Sequence, residues 1–348
     1  MSSQKERIIS EDISQVLKAK ISWEKLRNKT VLISGANGFL ASYLVFTLHS
    51  LNVNSNFNIN ILALVRNKTR AQEKFSSIKK NFELIVQDVT EPLHYTGKID
   101  FIIHAASQAS PKYYGVDPVG TLNANTIGTN NLLVAAKKNK VEKFLYFSSS
   151  EVYGVISADK IPTKENEFGF IDPANVRSCY AESKRMGETM CVSWAHQFGV
   201  NVSMVRPFHT YGPGMDLNDG RVYADFVSDI VNSRDIIMKS EGTSQRAFCY
   251  LSDATAGFFT VLIEGKNGEA YNIGNPAQET SIVNLSEKLV KLFPEKKLKV
   301  VSFMNDTPGY IPSAVSRNSP DITKARSLGW NPVTSIEDGF KRTVESYL

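Results

Sequence analysis

The sequence predicts an α/β protein: a doubly wound parallel sheet with a smaller, discontinuous C-terminal domain beside it. Three observations carry that expectation. Short, continuously apolar runs rich in β-branched residues recur through the first 150 residues, helical stretches separate them, and a glycine-rich turn joins the first run to the first of those helices. Strands that are apolar throughout are buried on both faces, and helices alternating with them supply the cover.

The elements follow in order. Ser10 followed by Glu11 and Asp12 reads as a cap with acids in the first turn, which predicts a short helix over 11–20 ahead of the main domain. The strands are "KTVLISG" (29–35), "INILALVRN" (59–67), "FELIVQD" (82–88), "DFIIHAA" (100–106) and "KFLYFSSS" (143–150). "LASYLVFTLHSL" and "TNNLLVAAKKN" are helices between them. From about residue 206 the alternation weakens, and Pro207, Gly212, Pro213, Gly214, Asn218, Asp219 and Gly220 mark a loop-rich insertion. Beyond it "TSIVNLSEKLVKLF" and "TSIEDGFKRTVESYL" have the periodicity of amphipathic helices.

Composition narrows the function. The chain has 348 residues, 42% hydrophobic and 22% charged, the balance of an ordinary globular protein of roughly two domains. Its 40 basic and 35 acidic residues give +5, scattered along the chain instead of gathered in a basic run. Nucleic acid is therefore not an expected partner, while a mild positive excess suits an anionic small substrate. Cys179, Cys191 and Cys249 form no CxxC pair and are odd in number, which points to a reducing compartment. Five dispersed histidines show no ligand spacing, so no metal site is expected. The N-terminus carries charges where a signal peptide has its apolar core, and no eighteen apolar residues run together. A cytoplasmic protein without membrane insertion is the expectation.

"SGANGFLAS" places Gly35, Gly38 and Ala41 at G-x-x-G-x-x-A spacing between strand and helix. Glycine allows the tight turn and close backbone approach that a pyrophosphate needs, and the helix N-terminus adds amide donors. This is the dinucleotide-binding turn of a Rossmann-type sheet, or a plain βα turn. The second strand ends in Arg66 and Asn67, with Arg70 after them, where an acid commonly grips the ribose hydroxyls. Arg66 there suits the extra phosphate of NADP, or is a solvated residue at a strand exit. Asp88 would hold the adenine amino group or cap the next turn.

Tyr180 and Lys184 are four apart in "RSCYAESKR", hence on one face of a helix, where an ammonium favours a phenolate; they are a catalytic pair or two neighbours. "SSSEVYG" follows the fifth strand at the sheet edge where open α/β folds bind ligands. Ser149 could there bridge a substrate and Tyr180, and Glu151 could serve as acid or base.

Together "GANGFLAS", "NFELIVQDVTEPL", "ASQASPKYY", "NANTIGTNNLL", "SSSEVYG", "RSCYAESKR", "NDGRV", "SQRAFCYLSD" and "SPDITKARSLGWNP" resemble an extended short-chain dehydrogenase/reductase of the NAD-dependent epimerase/dehydratase type, most of all the UDP-glucuronate decarboxylases. The resemblance covers most of residues 29–345 and implies a Rossmann-type domain over 29–205 with 246–273 and a nucleotide-sugar-binding domain over 206–245 with 274–348, leaving 1–28 as an N-terminal extension. It implies tightly bound NAD or NADP, held by Gly35, Asn37, Gly38, Phe39, Leu40, Arg66, Asp88, Val89, Ala105, Ala106, Asn125, Tyr180 and Lys184. Tyr180 would take the proton of the sugar 4-hydroxyl, Lys184 would hold the cofactor ribose and lower the tyrosine pKa, and Ser149 would complete the triad. Ser150, Glu151 and Arg246 would place the carboxylate and move protons; Ser107, His209 and Arg221 would add substrate contacts.

The related 4,6-dehydratases typically have an aspartic acid before the glutamate, where Ser150 stands here, and simple 4-epimerases usually lack the acid. Decarboxylation is therefore the expected reaction, with dehydration or epimerisation as alternatives. A non-catalytic dinucleotide sensor is a more distant one, since it has no chemical reason to keep Ser149, Tyr180 and Lys184. By the same resemblance the protein would be a homodimer joined through a four-helix bundle that includes the Tyr180 helix. Three positions depart from the family pattern: Arg66 in place of the ribose-binding acid, His209 in place of an asparagine, and Gly214 in place of an arginine.

Overall fold

A computed structural model describes residues 3–302 and 315–348. Residues 303–314 of the range expected for the second domain lie outside the described residues.

The first helix, α1 (Ser3–Leu17), corrects the expected span of 11–20. Ile8, Ile13 and Val16 are all buried, so a continuous apolar stripe starts the helix before the acid pair. Ser10 lies inside it and accepts at its carbonyl from Ser14 Oγ at 2.8 Å.

The sheet begins with β1 (Thr30–Ser34), α2 (Phe39–Ser55), β2 (Asn60–Val65), α3 (Lys68–Lys74), β3 (Phe82–Val86) and β4 (Phe101–His104). Helices α4 (Pro111–Tyr114), α5 (Pro118–Asn125) and α6 (Ile127–Asn139) lead to β5 (Lys143–Phe147), and α7 (Ser178–Phe198) leads to β6 (Val202–Pro207). Asn56 and Gly199, in the left-handed region with φ of 51° and 68°, stop α2 and α7.

Smaller elements follow: β7 (Thr210–Tyr211), α8 (Val222–Val231), β8 (Ile236–Met238), β9 (Gln245–Ala247) and β10 (Cys249–Tyr250). The chain then returns through α9 (Leu251–Glu264) to β11 (Glu269–Ile273), which adds to the main sheet beside β6. It ends with β12 (Glu279–Ser281), α10 (Ile282–Leu292), β13 (Val300–Ser302), β14 (Arg317–Asn318), α11 (Thr323–Arg326) and α12 (Ile336–Glu345). Ser281 and Ser335 cap α10 and α12 by accepting from the amides of Asn284 and Asp338.

The seven-stranded sheet is parallel with order β11-β6-β5-β4-β1-β2-β3, so the order reverses between β1 and β4. Alternation along β1 divides its core in two: Val31 and Ile33 face α2 and α9 with Leu44, Phe258 and Phe259, while Leu32 faces α6 with Leu132 and Leu133. A further core holds Phe226, Phe248, Leu285 and Phe340, with the Tyr211 and Phe340 rings stacked 3.9 Å apart.

One buried carboxylate ties these parts together. Asp12 accepts from Tyr43 Oη at 2.8 Å, Tyr250 Oη at 2.9 Å and Arg342 Nη2 at 2.7 Å. It thereby joins α1 to α2, β10 and α12.

Candidate active site

The turn after β1 is closed against the exit of β4. Gly35 has φ of 66°, and a Cβ on it would lie 2.7 Å from Ala106 Cα; a Cβ on Gly38 would lie 2.9 Å from the Gly35 carbonyl oxygen. Ser34 Oγ accepts from the amides of Ala105 and Ala106, each at 3.1 Å, and bonds His104 Nδ1 at 2.8 Å. Burial holds His104 neutral, its pKa pulled down to about 3. The Phe39 and Leu40 side chains pack into the cores, so what they offer the turn is backbone at the start of α2. A turn with no room for side chains, backed by a long helix, fits a dinucleotide pyrophosphate.

Asn37 accepts at its carbonyl from Lys74 Nζ at 2.9 Å. Beyond β3, Asp88 is fixed by the Thr90 amide and hydroxyl at 2.9 and 2.8 Å, and Arg66 Nη1 stands 3.7 Å from it. Val89 is buried against Gly128, where a Cβ would come within 2.8 Å. Asn125 donates to Ser183 Oγ at 3.0 Å. Among the described residues Asn125 Oδ1, Ser107 Oγ and His209 Nε2 are buried without a hydrogen-bond partner, the condition that a bound ligand or water relieves.

Beyond β5, Ser149 caps the single 3-10 turn Ser150–Tyr153, accepting from the Glu151 amide at 3.2 Å. Ser150 lines a cleft with Tyr153, Gly154, Thr163 and Arg317. On α7, Tyr180 and Lys184 share one buried face, with Lys184 Nζ 5.8 Å from the Tyr180 ring centroid and donating to the Phe147 carbonyl at 2.6 Å. Burial dominates both groups. It pushes the Tyr180 phenol up to about 12, helped by the charge of Glu151 and opposed by a hydrogen bond with Ser149 and by Arg221. It pulls Lys184 down to about 7, against the attraction of Glu188. Glu151 is raised by burial, with Arg177 and Arg221 opposing.

Arg221 enters from the N-terminus of α8, paired with Asp219 at 2.7 Å and donating to the Ala109 carbonyl at 2.6 Å. His209 lies between β6 and β7, its pKa lowered to about 3 by burial and then by Arg246 and Arg221. Arg246, on β9, donates to the carbonyls of Gln245, Ser316 and Val315 at 2.8, 3.2 and 2.7 Å. Gly214 has φ of 85° with open space where a Cβ would stand.

The structure thus brings Ser149, Glu151 and Arg221 to Tyr180, sets Lys184 beside the Tyr180 ring and His209 beside Arg221 and Arg246, and places the Gly35 turn, Asp88 and Arg66 after β1, β3 and β2 of the sheet. Three contributors escape a reading of the sequence. Tyr114 stacks on Tyr180 with centroids 5.0 Å apart, Arg177 acts on Glu151, and Asp219 pairs with Arg221. Tyr114 stands within the "ASQASPKYY" stretch, but nothing in the spacing singles it out. A buried phenol, a buried acid and two arginines can move protons and stabilise anions formed on a substrate.

Known proteins resemble this chain in sequence and in fold. The sequence model of the NAD dependent epimerase/dehydratase family matches residues 31–274. UDP-glucuronic acid decarboxylase 5 of Arabidopsis thaliana is 36% identical over 329 residues, covering 92% of this chain and 89% of that protein. UDP-glucuronic acid decarboxylase 1 of Xenopus tropicalis is 37% identical over 325 residues, with 92% and 72% covered. Among solved structures, UDP-glucose 4-epimerase from Thermotoga maritima superposes with a TM-score of 0.78 at 24% identity over 91% of this chain and 98% of that one. UDP-glucuronic acid 4-epimerase from Bacillus cereus, in complex with UDP-glucuronic acid and NAD, gives 0.73 at 23%, with 91% and 98% covered. At these identities the structures speak for the fold.

Proposed function

The chain belongs to the NAD-dependent epimerase/dehydratase family, and from that premise we propose that it decarboxylates UDP-glucuronate through transient oxidation at C4 of the sugar. It is a nicotinamide-dinucleotide enzyme of nucleotide-sugar metabolism with a Rossmann-type fold. The observation that carries the reading is Glu151, a buried carboxyl raised by desolvation, beside the Tyr180, Lys184 and Ser149 cluster. Decarboxylases as relatives across 92% of the chain support it.

When bound, the dinucleotide supplies a reversible hydride acceptor at C4 and a positive charge beside the phenol. Tyr180 Oη holds its proton at rest, Arg221 favours the phenolate as it takes the 4-hydroxyl proton, and Lys184 stands beside the ring, where its charged form would add to that effect. Ser149 shares the hydrogen bond at that oxygen. A ketone at C4 lies β to the C6 carboxylate, so the C5–C6 bond breaks with its electrons passing to the C4 oxygen and carbon dioxide leaving. Glu151, whose protonated form burial favours, is the acid for C5. Arg246 and Arg221 bring the positive charge that suits carboxylate and diphosphate, while their donors hold the carbonyls of Gln245, Val315, Ser316 and Ala109. Ser150 in place of an aspartic acid leaves no acid there to expel a 6-hydroxyl, which disfavours dehydration.

Val119 and Leu122 on α5, Ile127 and Val134 on α6, and Met186 and Val192 on α7 are exposed apolar side chains. They support a homodimer through a helical bundle that includes α7. Among the described residues no helix is long and apolar enough to cross a membrane. The three cysteines are buried and free, which favours the cytoplasm.

The test is incubation of purified protein with UDP-glucuronate. The expected products are a UDP-pentose and carbon dioxide; turnover of neutral UDP-hexoses alone would sink the assignment.

A further inference from the structure

The adenosine end of the dinucleotide site carries cations where this fold commonly carries an acid. β2 ends at Val65, beside the glycine turn, since both the Gly35 and Ala36 amides donate to the Leu64 carbonyl at 2.9 and 3.4 Å. The side chain that leaves this point is Arg66, and between it and Lys74 stand Lys68 and Arg70 with one acid, Glu73. Arg66 is 64% exposed and touches Asp88 only at 3.7 Å, so that exposed pair spends little of the guanidinium's capacity. Asp88, locked by Thr90, stands after β3 next to Arg66, and the Gly35 turn stands after β1.

The second observation lies on α3. Lys74 reaches the turn itself, donating to the Asn37 carbonyl, and Arg70 stands one helical turn before it on the same face. Burial and the charges of Arg70 and Lys5 pull the Lys74 ammonium down to about 8. Cations repelling one another beside an anion-binding turn are unfavourable in isolation and are stabilised by a multiply charged anion placed among them.

We propose that this chain selects NADP over NAD, with Arg66 and Arg70 receiving the 2′-phosphate of the adenosine ribose and Lys74 adding charge from the glycine turn. The inference rests on the family reading above and fixes which dinucleotide serves it. Both arginines present donors to solvent without needing a change of fold, and a dianionic phosphate accepts forked donors from each. An NAD ribose would instead give Arg66 and Arg70 no anion beyond the loosely held Asp88, and would meet no acid at the end of β2.

The experiment is to denature freshly purified holoprotein, quantify released NADP and NAD by mass spectrometry, and measure the competition of 2′,5′-ADP against 5′-AMP for the site. Wild type is expected to carry NADP and to bind 2′,5′-ADP more tightly. In Arg66→Asp, whose side chain is exposed enough for the fold to tolerate the change, the NADP:NAD ratio should move toward NAD by roughly 10- to 100-fold, the worth of one charged hydrogen bond. Arg70→Gln should move it the same way by less. NAD in wild type, with a ratio indifferent to both substitutions, overturns the inference while leaving the family reading intact. Binding of neither dinucleotide overturns both.

Discussion

The ring of Tyr114 lies flat on the ring of Tyr180, centroids 5.0 Å apart and planes 16° from parallel. Tyr114 is anchored by its own hydroxyl, which donates to the Ala109 carbonyl at 3.0 Å, the same carbonyl that receives Arg221. One short segment therefore sets both the plane of the phenol and the position of a cation that favours its anion.

Tyr180→Phe keeps that stack and removes the oxygen. It should lower kcat by at least about 10³-fold with dinucleotide retention and melting temperature nearly unchanged. Tyr114→Leu should cost about 1 kcal/mol of stability through the lost ring pair and lower kcat with little change in KM. Unaltered kcat in Tyr180→Phe would remove the triad assignment.

Glu151 is raised by burial, so its protonated form contributes stability below the carboxyl's ordinary pKa, and that contribution is lost as pH rises through the folded pKa. Glu151→Gln is neutral at every pH. It should therefore melt higher than wild type at pH 7 to 8 while releasing carbon dioxide about 10² to 10⁴ times more slowly. Scanning calorimetry and a carbon dioxide assay read the two effects independently.

His209 runs the other way. Its folded pKa of about 3 lies below the unfolded 6.5, so the folded state needs the neutral ring, and stability falls as pH drops from 6.5 toward 3. His209→Asn should flatten the curve of unfolding free energy between pH 4 and 6 by about 1.4 kcal/mol per unit. Denaturant titrations at several pH values measure the slope; an unchanged slope would show that the ring is not held neutral.

Asp12→Ala removes the buried acceptor of two tyrosine hydroxyls and of Arg342, which keeps Glu11 and the Ile8 carbonyl. The expected loss is about 3 to 5 kcal/mol, read by chemical denaturation. Replacing Arg342 by Met as well should recover part of it, because two mutually satisfied charges are then removed together.

Much of the frame was legible because the central strands β1, β2, β4 and β5 are apolar along most of their length, as a sheet covered on both faces requires, and because the Gly35 turn stands between a strand and a helix. The four-residue spacing of Tyr180 and Lys184 placed both on one face of α7. What stayed hidden depends on partners remote in the chain. Asp12 reads in the sequence as an acid in the first turn of a helix capped by Ser10, yet its main counter-charge, Arg342, lies 330 residues away. The contact of Lys74 with Asn37 spans 37 residues and has no periodicity to announce it. Arg246 reads as a ligand-binding fork, and the carbonyls of Val315 and Ser316 that receive it are visible only once β14 has paired with β9.

The grip of Asp12 on Tyr43, Tyr250 and Arg342 also bolts the elements around the second core to the helices beside the sheet. A jaw-like swing of the elements around the second core away from the sheet would leave an anion in a dry interior with nothing to neutralise it. Any opening of the cleft therefore has to leave that anchorage intact.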